Sequence, residues 1–251
     1  MIYYFSGTGN SRYAAEKLAR LTGDTCVSIA SIFNGTAKSV EGKKDVTGFV
    51  FPVYYSGLPE MVKRFAAHPQ IRQTLGSYVF CVITCGAETA AADEMLERAL
   101  GRNVDLSVSL RMPDNYVIAY NPSGGEEAME ILRRADAKLD KTAQAINAQG
   151  RYKSSSFKKR IMTLVMYPFY GVFRTTAFYK ADGKCTGCGL CERVCPDKAI
   201  EMINGRPVWV QKKCQHCTAC INRCPARAIQ FGKRTAGRGR YYITDIGKSR
   251  D

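Results

Sequence analysis

Eight of the eleven cysteines fall into two copies of one pattern, Cys-x-x-Cys-x-x-Cys-x-x-x-Cys-Pro. The first copy is Cys185, Cys188, Cys191 and Cys195 with Pro196, and the second is Cys214, Cys217, Cys220 and Cys224 with Pro225. Three thiolates at steps of three can wrap one cubane iron–sulfur cluster while the fourth reaches a neighbouring one. The pattern therefore predicts two [4Fe–4S] clusters and one-electron chemistry. Structural zinc takes paired knuckles set roughly a dozen or more residues apart, which is a different arrangement. A disulfide framework belongs to an oxidising compartment, and no secretory signal opens the chain, so a cytoplasmic and anaerobic setting is expected.

The two copies are offset by 29 residues, Cys185 to Cys214, and the likeness runs past the cysteines. Cys-Pro-Asp-Lys-Ala-Ile at 195–200 is echoed by Cys-Pro-Ala-Arg-Ala-Ile at 224–229. An internal repeat of this kind predicts two pseudo-symmetric halves packed on each other. The fourth cysteine of each half should sit on the short helix that follows and face the other half's cluster. One cluster is then assigned to Cys185, Cys188, Cys191 and Cys224, the other to Cys214, Cys217, Cys220 and Cys195. Gly187 and Gly189 let the first loop turn tightly and aim backbone N–H groups at sulfur. Residues 183–232, about a fifth of the chain, resemble the bacterial-type dicluster ferredoxins.

The remaining residues must build a separate globular unit. The chain opens with the apolar run Met1 to Phe5, followed by Ser6-Gly7-Thr8-Gly9-Asn10-Ser11 and an amphipathic stretch from Arg12 to Leu21. A strand, a glycine- and hydroxyl-rich loop and a helix make a phosphate site, because hydroxyls and the helix N-terminus both favour an anion. This loop has no Gly-Lys-Ser/Thr, and Arg12 stands where a dinucleotide fingerprint needs its third glycine, so nucleoside triphosphates and dinucleotides are disfavoured. The six residues 6–11 resemble the phosphate loop of flavodoxins, and that resemblance implies FMN. Val46 to Val53 and Tyr78 to Thr84 are continuous apolar runs, as buried parallel strands should be. Val104 to Leu110 reads as a further strand. Helices are expected near Pro59–Ala67, Glu88–Leu100 and Gly125–Ala148.

This alternation predicts an α/β doubly wound parallel sheet, and the two resemblances imply that it is flavodoxin-like and joined to a small α+β dicluster ferredoxin domain. Ligands of such sheets sit beyond the carboxyl ends of the strands. There, Pro52, Val53, Tyr54, Tyr55, Ser56 and Gly57 supply aromatics for a flavin ring, and Thr84, Cys85, Gly86 and Ala87 supply backbone N–H groups. Flavodoxins hold the ring between two such loops, and the second loop here has no aromatic. Residues 112–124 are long for a connection, and their Asn115 and Tyr116 could close over the ring. Cys85 reads as a packing residue, and His216 as solvent-facing.

The expected division is a flavodoxin-like domain at 1–150, a connector at 151–182, a ferredoxin domain at 183–232 and a basic tail at 233–251. This order resembles the flavodoxin–ferredoxin fusions called EFR1-family ferredoxins, which implies electron transfer. The connector from Arg151 to Lys180 has seven Lys or Arg and no acid, and its centre, Ile161 to Phe173, is apolar but interrupted by Pro168 and Gly171. Thirteen such residues are too short to span a bilayer. Packing of its aromatics between the domains is favoured, and peripheral contact with an anionic membrane is the competing reading.

Net charge is +15, which two oxidised clusters and an FMN phosphate would reduce to about +9. A basic surface steers acidic redox partners such as a ferredoxin, flavodoxin or reductase, and without a recognition module nucleic acid is disfavoured. The expected function is an electron-transfer flavo-iron–sulfur protein of oxidoreductase type. A flavin-dependent reductase of a small organic or quinone substrate, and a redox-responsive binding protein, are the alternatives.

Overall fold

The computed structural model describes residues 1–37, 45–153 and 156–245. Residues 154, 155 and 246–251, part of the connector and of the tail, lie outside them. The described chain divides into two compact units. The first comprises Met1–Ser6, Asn10–Met112 and Ile131–Gly171, and the second Gly7–Gly9, Pro113–Glu130 and the chain from Val172 onward.

Strands β1 (Ile2–Tyr4), β2 (Cys26–Ser28), β3 (Val46–Pro52), β4 (Tyr78–Cys85) and β5 (Leu106–Arg111) form one sheet in the order β2-β1-β3-β4-β5. All four pairings are parallel, with Tyr3 opposite both Val27 and Phe49, Phe49 opposite Cys81, and Val82 opposite Val108. This is the flavodoxin-like strand order. Every residue of β4 is buried, so its unbroken apolar run follows from having both faces covered.

Helices α1 (Asn10–Thr22), α2 (Ile29–Phe33), α3 (Glu60–Ala66), α4 (Pro69–Gln73), α5 (Ala92–Leu100) and α6 (Gly125–Asn147) flank the sheet. Tyr13 donates to Asp136 Oδ1 at 2.7 Å and Lys17 pairs with Asp136 and Asp140, which ties α1 to α6.

Most of the connector is a helix. Helix α7 (Phe157–Phe173) runs unbroken through Pro168. A proline in a helix removes one hydrogen bond and crowds the carbonyl four residues back, here that of Leu164. Leu164 is 76% exposed, so water can serve its carbonyl, and contacts on the opposite side hold the helix. Those contacts lie within the first unit. Thr163 donates to the Ser56 carbonyl at 2.7 Å and accepts from Ala91 N, while Tyr167 donates to the Leu58 carbonyl at 2.8 Å. Arg160 bonds both carboxylate oxygens of Glu94 at 2.9 and 3.0 Å, and Lys153 pairs with Glu97. Tyr170 is 2% exposed and packs on Tyr54, Tyr55 and Tyr167. Removing its ring leaves a cavity the surrounding backbone cannot fill, so Tyr170→Ala is expected to cost about 3 kcal/mol. A urea midpoint followed by far-ultraviolet dichroism measures this, and a loss below about 1 kcal/mol would show that the tyrosine cluster does not hold the helix.

In the second unit, β6 (Tyr179–Ala181) pairs antiparallel with β9 (Ile229–Phe231), and β7 (Ile200–Ile203) with β8 (Arg206–Trp209). Two four-residue helices, α8 (Leu190–Arg193) and α9 (Ala219–Asn222), each start in the middle of a cysteine motif. The repeat is visible in the backbone itself. Gly187, Gly189 and Lys198 have φ of 71°, 70° and 49°, and 29 positions later His216, Thr218 and Arg227 have 58°, 56° and 49°.

Candidate functional site

The cysteines ring two cavities in the second unit. One is lined by Cys185, Cys188, Cys191 and Cys224 among others; its neighbour by Cys195, Cys214, Cys217 and Cys220. Each cavity thus takes three cysteines from one motif and the fourth from the other. The crossing follows from the local fold. The first three cysteines lie on a loop and the short helix it enters, and the chain then turns so that the fourth is carried across to the other half. Among the described residues, no three His, Cys, Asp or Glu converge closely enough for a single metal ion. The thiols instead surround a volume, as a multi-atom cluster requires.

The backbone treats the sulfurs as acceptors. Ala199 N lies 3.2 Å from Cys195 Sγ, Ala228 N is 3.3 Å from Cys224 Sγ, and His216 N is 3.3 Å from Cys214 Sγ. The first two bonds are the same bond repeated at an offset of 29 residues. Burial pushes the Cys214 thiol up to about 12 and those of Cys217 and Cys220 well above their ordinary value. A buried thiolate needs compensating positive charge, and the iron of a cluster provides it. The donor set, the cavity and the N–H groups aimed at sulfur all fit iron–sulfur clusters.

Sequence reasoning missed what surrounds the second motif. His216 was expected to face solvent and is 3% exposed, because Tyr116, Tyr179 and Phe231 pack against its ring. Tyr116 Oη is 3.0 Å from His216 Nδ1. Burial, with the Arg174 charge second, lowers the histidine to about 4 and keeps the ring neutral at physiological pH. The left-handed backbone at His216 and Thr218 is costly for residues with a Cβ, and it directs the His216 N–H at Cys214. Matching each position to its partner 29 residues earlier would have shown this, since Gly187 and Gly189 occupy the equivalent places.

Residues 113–130 belong to the second unit as well. Val117 and Ile118 form a buried cluster with Tyr179, Ile221 and Ile229, and Cys191, Cys214, Cys220 and Cys224 pack against it. The Asn115 carbonyl accepts from Asn222 Nδ2 at 3.2 Å. Asn115, through its backbone carbonyl, and Tyr116, through its hydroxyl, thus each have a hydrogen-bond partner beside the second cysteine motif.

The loops that follow β3 and β4 lie in the first unit. Tyr54 and Gly57 exchange two backbone hydrogen bonds of 3.0 and 2.9 Å, with Tyr55 and Ser56 between them at φ of 47° and 60°. That is a tight turn with both central residues left-handed, a conformation tyrosine rarely adopts. The Tyr55 ring stacks on Tyr170 with centroids 5.7 Å apart. Pro52 to Ser56 are half-buried and Gly57 is buried. Val53 N donates to the Thr84 carbonyl at 3.0 Å, and Thr84 Oγ1 meets Ser11 Oγ at 2.8 Å, so the two loops and the start of α1 are joined. Gly86 is half-buried and Ala87 exposed. Cys85 is 6% exposed, and burial raises its thiol, which makes it an inert packing residue.

Ser6 to Ser11 form a hydroxyl-rich turn into α1, whose first turn has no acid. Thr8, Asn10 and Ser11 are buried. Gly9 holds a φ of 98°, and a Cβ there would lie 2.4 Å from Ile243 Cγ2. A Cβ at Gly7 would lie 2.5 Å from the Cys217 carbonyl oxygen, so this glycine admits a close approach by the second cysteine motif. Ile243 N donates to the Thr8 carbonyl at 3.2 Å. The chemistry suits an anion: hydroxyls, a helix N-terminus and no nearby carboxylate on the same turn.

Residues 177–225 match the family model of the 4Fe-4S dicluster domain. The chain thus carries both a flavodoxin-like sheet and a dicluster iron–sulfur domain. No curated protein matches the sequence. Among solved structures, the chain is similar to the Trp repressor binding protein from Bacillus subtilis, with 15% identity, 62% of this chain and 100% of that one covered, and a TM-score of 0.38. A candidate flavoprotein from Bacteroides uniformis ATCC 8492 gives 18%, 44%, 88% and 0.33 for the same quantities. The metal-soaked Flv1 flavodiiron core from Synechocystis sp. PCC6803 gives 16%, 59%, 35% and 0.34.

Proposed function

We propose that this protein is an electron carrier that binds FMN and two [4Fe–4S] clusters and exchanges electrons with an external redox protein. The observation that carries the reading is the pair of four-cysteine cavities, each completed by a cysteine of the other motif, with backbone N–H groups directed at sulfur. The FMN half rests on the loop Ser6–Ser11 at the carboxyl edge of a flavodoxin-like sheet and on the strained turn at Tyr55 and Ser56. The order of the two parts supports membership of the EFR1-family fusions. Bound flavin takes up electrons in pairs and gives them up singly, which matches one-electron clusters to two-electron chemistry.

The chain's own residues have distinct tasks in this scheme. Ser6, Thr8 and Ser11 offer hydroxyls to the phosphate, and Pro52–Gly57 and Thr84–Ala87 border the ring. Tyr170 fixes Tyr55 from behind. In the second unit, the loop of the first motif is exposed from Gly183 to Cys188 apart from a half-buried Cys185, whereas Gln215, His216 and Thr218 of the second are buried. The first motif is thus the side at which a partner docks. Exposed Lys184, Arg193 and Arg206 around it favour an acidic partner, and the docking rate should fall with salt.

Protein purified without oxygen should release about one FMN per chain on denaturation, with roughly eight iron and eight sulfide. Liquid chromatography of the released flavin and chemical iron and sulfide assays measure both. Full iron and sulfide with no flavin, even after reconstitution with FMN, would remove the flavin from the scheme and leave a ferredoxin.

A further inference from the structure

We infer that the outward face of α7 is a docking surface for an anionic lipid membrane, on which the helix lies flat. Its seventeen residues make a cylinder about 25 Å long. Thr163, Tyr167 and Tyr170 point to the first unit and are held there by hydrogen bonds and ring contacts. The opposite side is apolar and open: Phe157 and Leu164 are each 76% exposed, Val172 68% and Val165 56%, with Ile161 and Phe169 beside them. On a helix of 3.6 residues per turn these positions share one broad stripe. A contiguous apolar patch of this kind on a soluble protein marks an interaction site.

Charge identifies the occupant. From Arg151 to Lys180 there are seven Lys or Arg and no acid. Arg151, Lys153 and Arg160 pair with Asp105, Glu97 and Glu94, Lys158 stands exposed in the first turn of the stripe, and Lys159 follows on its flank. The whole chain carries +15. A second copy would bring the same positive charge against itself, whereas a bilayer with acidic headgroups offers both apolar depth and negative charge. No described helix is long and apolar enough to cross a membrane, so the geometry is that of a helix in the interface plane. Pro168 sets the depth. The Leu164 carbonyl it leaves without a helical donor is tolerable among hydrated headgroups and costly in hydrocarbon.

The test is flotation of the full, cluster-loaded chain with vesicles of phosphatidylcholine, with and without phosphatidylglycerol. Wild type should float with the mixed vesicles, be released by raised salt, and bind pure phosphatidylcholine weakly. Leu164→Glu with Val172→Glu should lower binding on the order of tenfold or more while iron content and urea midpoint stay unchanged. Lys158→Glu with Lys159→Glu should weaken binding to the mixed vesicles alone. The inference is overturned if wild type stays unbound on mixed vesicles at low salt, or if the Leu164→Glu/Val172→Glu protein floats as well as wild type. It is equally overturned if light scattering finds a wild-type dimer that this double variant dissolves, because a second copy would then cover the face.

Discussion

Replacing Cys224 with alanine is expected to damage the cluster of the first motif, although Cys224 belongs to the second. Cys224 lines the cavity of Cys185, Cys188 and Cys191, and Cys195 lines that of Cys214, Cys217 and Cys220. A cluster that loses one of four thiolates in a cavity open to solvent is no longer fully ligated. Iron should therefore fall from roughly eight toward roughly four per chain. The distinguishing result is spectroscopic. The electron paramagnetic resonance signal left in reduced Cys224→Ala should match that left in Cys185→Ala, and the signal left in Cys195→Ala should match Cys217→Ala. The surviving signal also names the intact cavity, because the second has a buried histidine N–H directed at Cys214 and the first has a glycine loop in that place. If Cys224→Ala instead resembles Cys217→Ala, each motif ligates its own cluster and the crossed arrangement fails.

The chemistry of the cysteines was legible because metal ligation imposes residue type and spacing together. Eight thiols at matched offsets can be read without coordinates. Strands β3 and β4 were legible for a related reason, since both faces of a central parallel strand must be apolar. Strand β2 was not. Cys26–Ser28 is three half-buried residues at the sheet edge, too short and too mixed to register as a run. Helix α7 was not legible through Pro168 because propensity is local, whereas Arg160–Glu94, Thr163–Ser56 and Tyr167–Leu58 join residues 66 to 109 apart. The long connection after β5 has a packing role that the sequence does not announce. Val117 and Ile118 are apolar because they are core residues of the second unit, and nothing in a single sequence says which of two units a segment joins. His216 is the instructive case. Its conformation was inferable from the repeat, through Gly187, but its burial depends on Tyr116, a hundred residues earlier.

Asn10→Asp should lower the affinity for FMN roughly a hundredfold and leave riboflavin, which lacks the phosphate, nearly unaffected. Asn10 opens α1, is 5% exposed, and no acid occupies the first turn of that helix. The substitution exchanges one heavy atom for another of similar size, so the side chain's shape is preserved while a full negative charge is set among the groups proposed to hold a phosphate dianion. Repulsion between such charges a few ångströms apart at a partly buried site is worth about 3 kcal/mol, and raised salt should recover only a small part of it. Burial of the new carboxylate costs stability and the helix N-terminus offsets that cost, so the urea midpoint tells fold damage from local repulsion. An aspartate at a helix N-terminus is favourable to the helix dipole, so the flavin-free variant should unfold at the same urea concentration as wild type or a higher one. Fluorescence titration with both flavins, alongside an iron assay, separates the outcomes. Equal weakening of FMN and riboflavin would place the substitution's effect on the ring site, and unchanged binding of both would show that Ser6–Ser11 does not hold the phosphate.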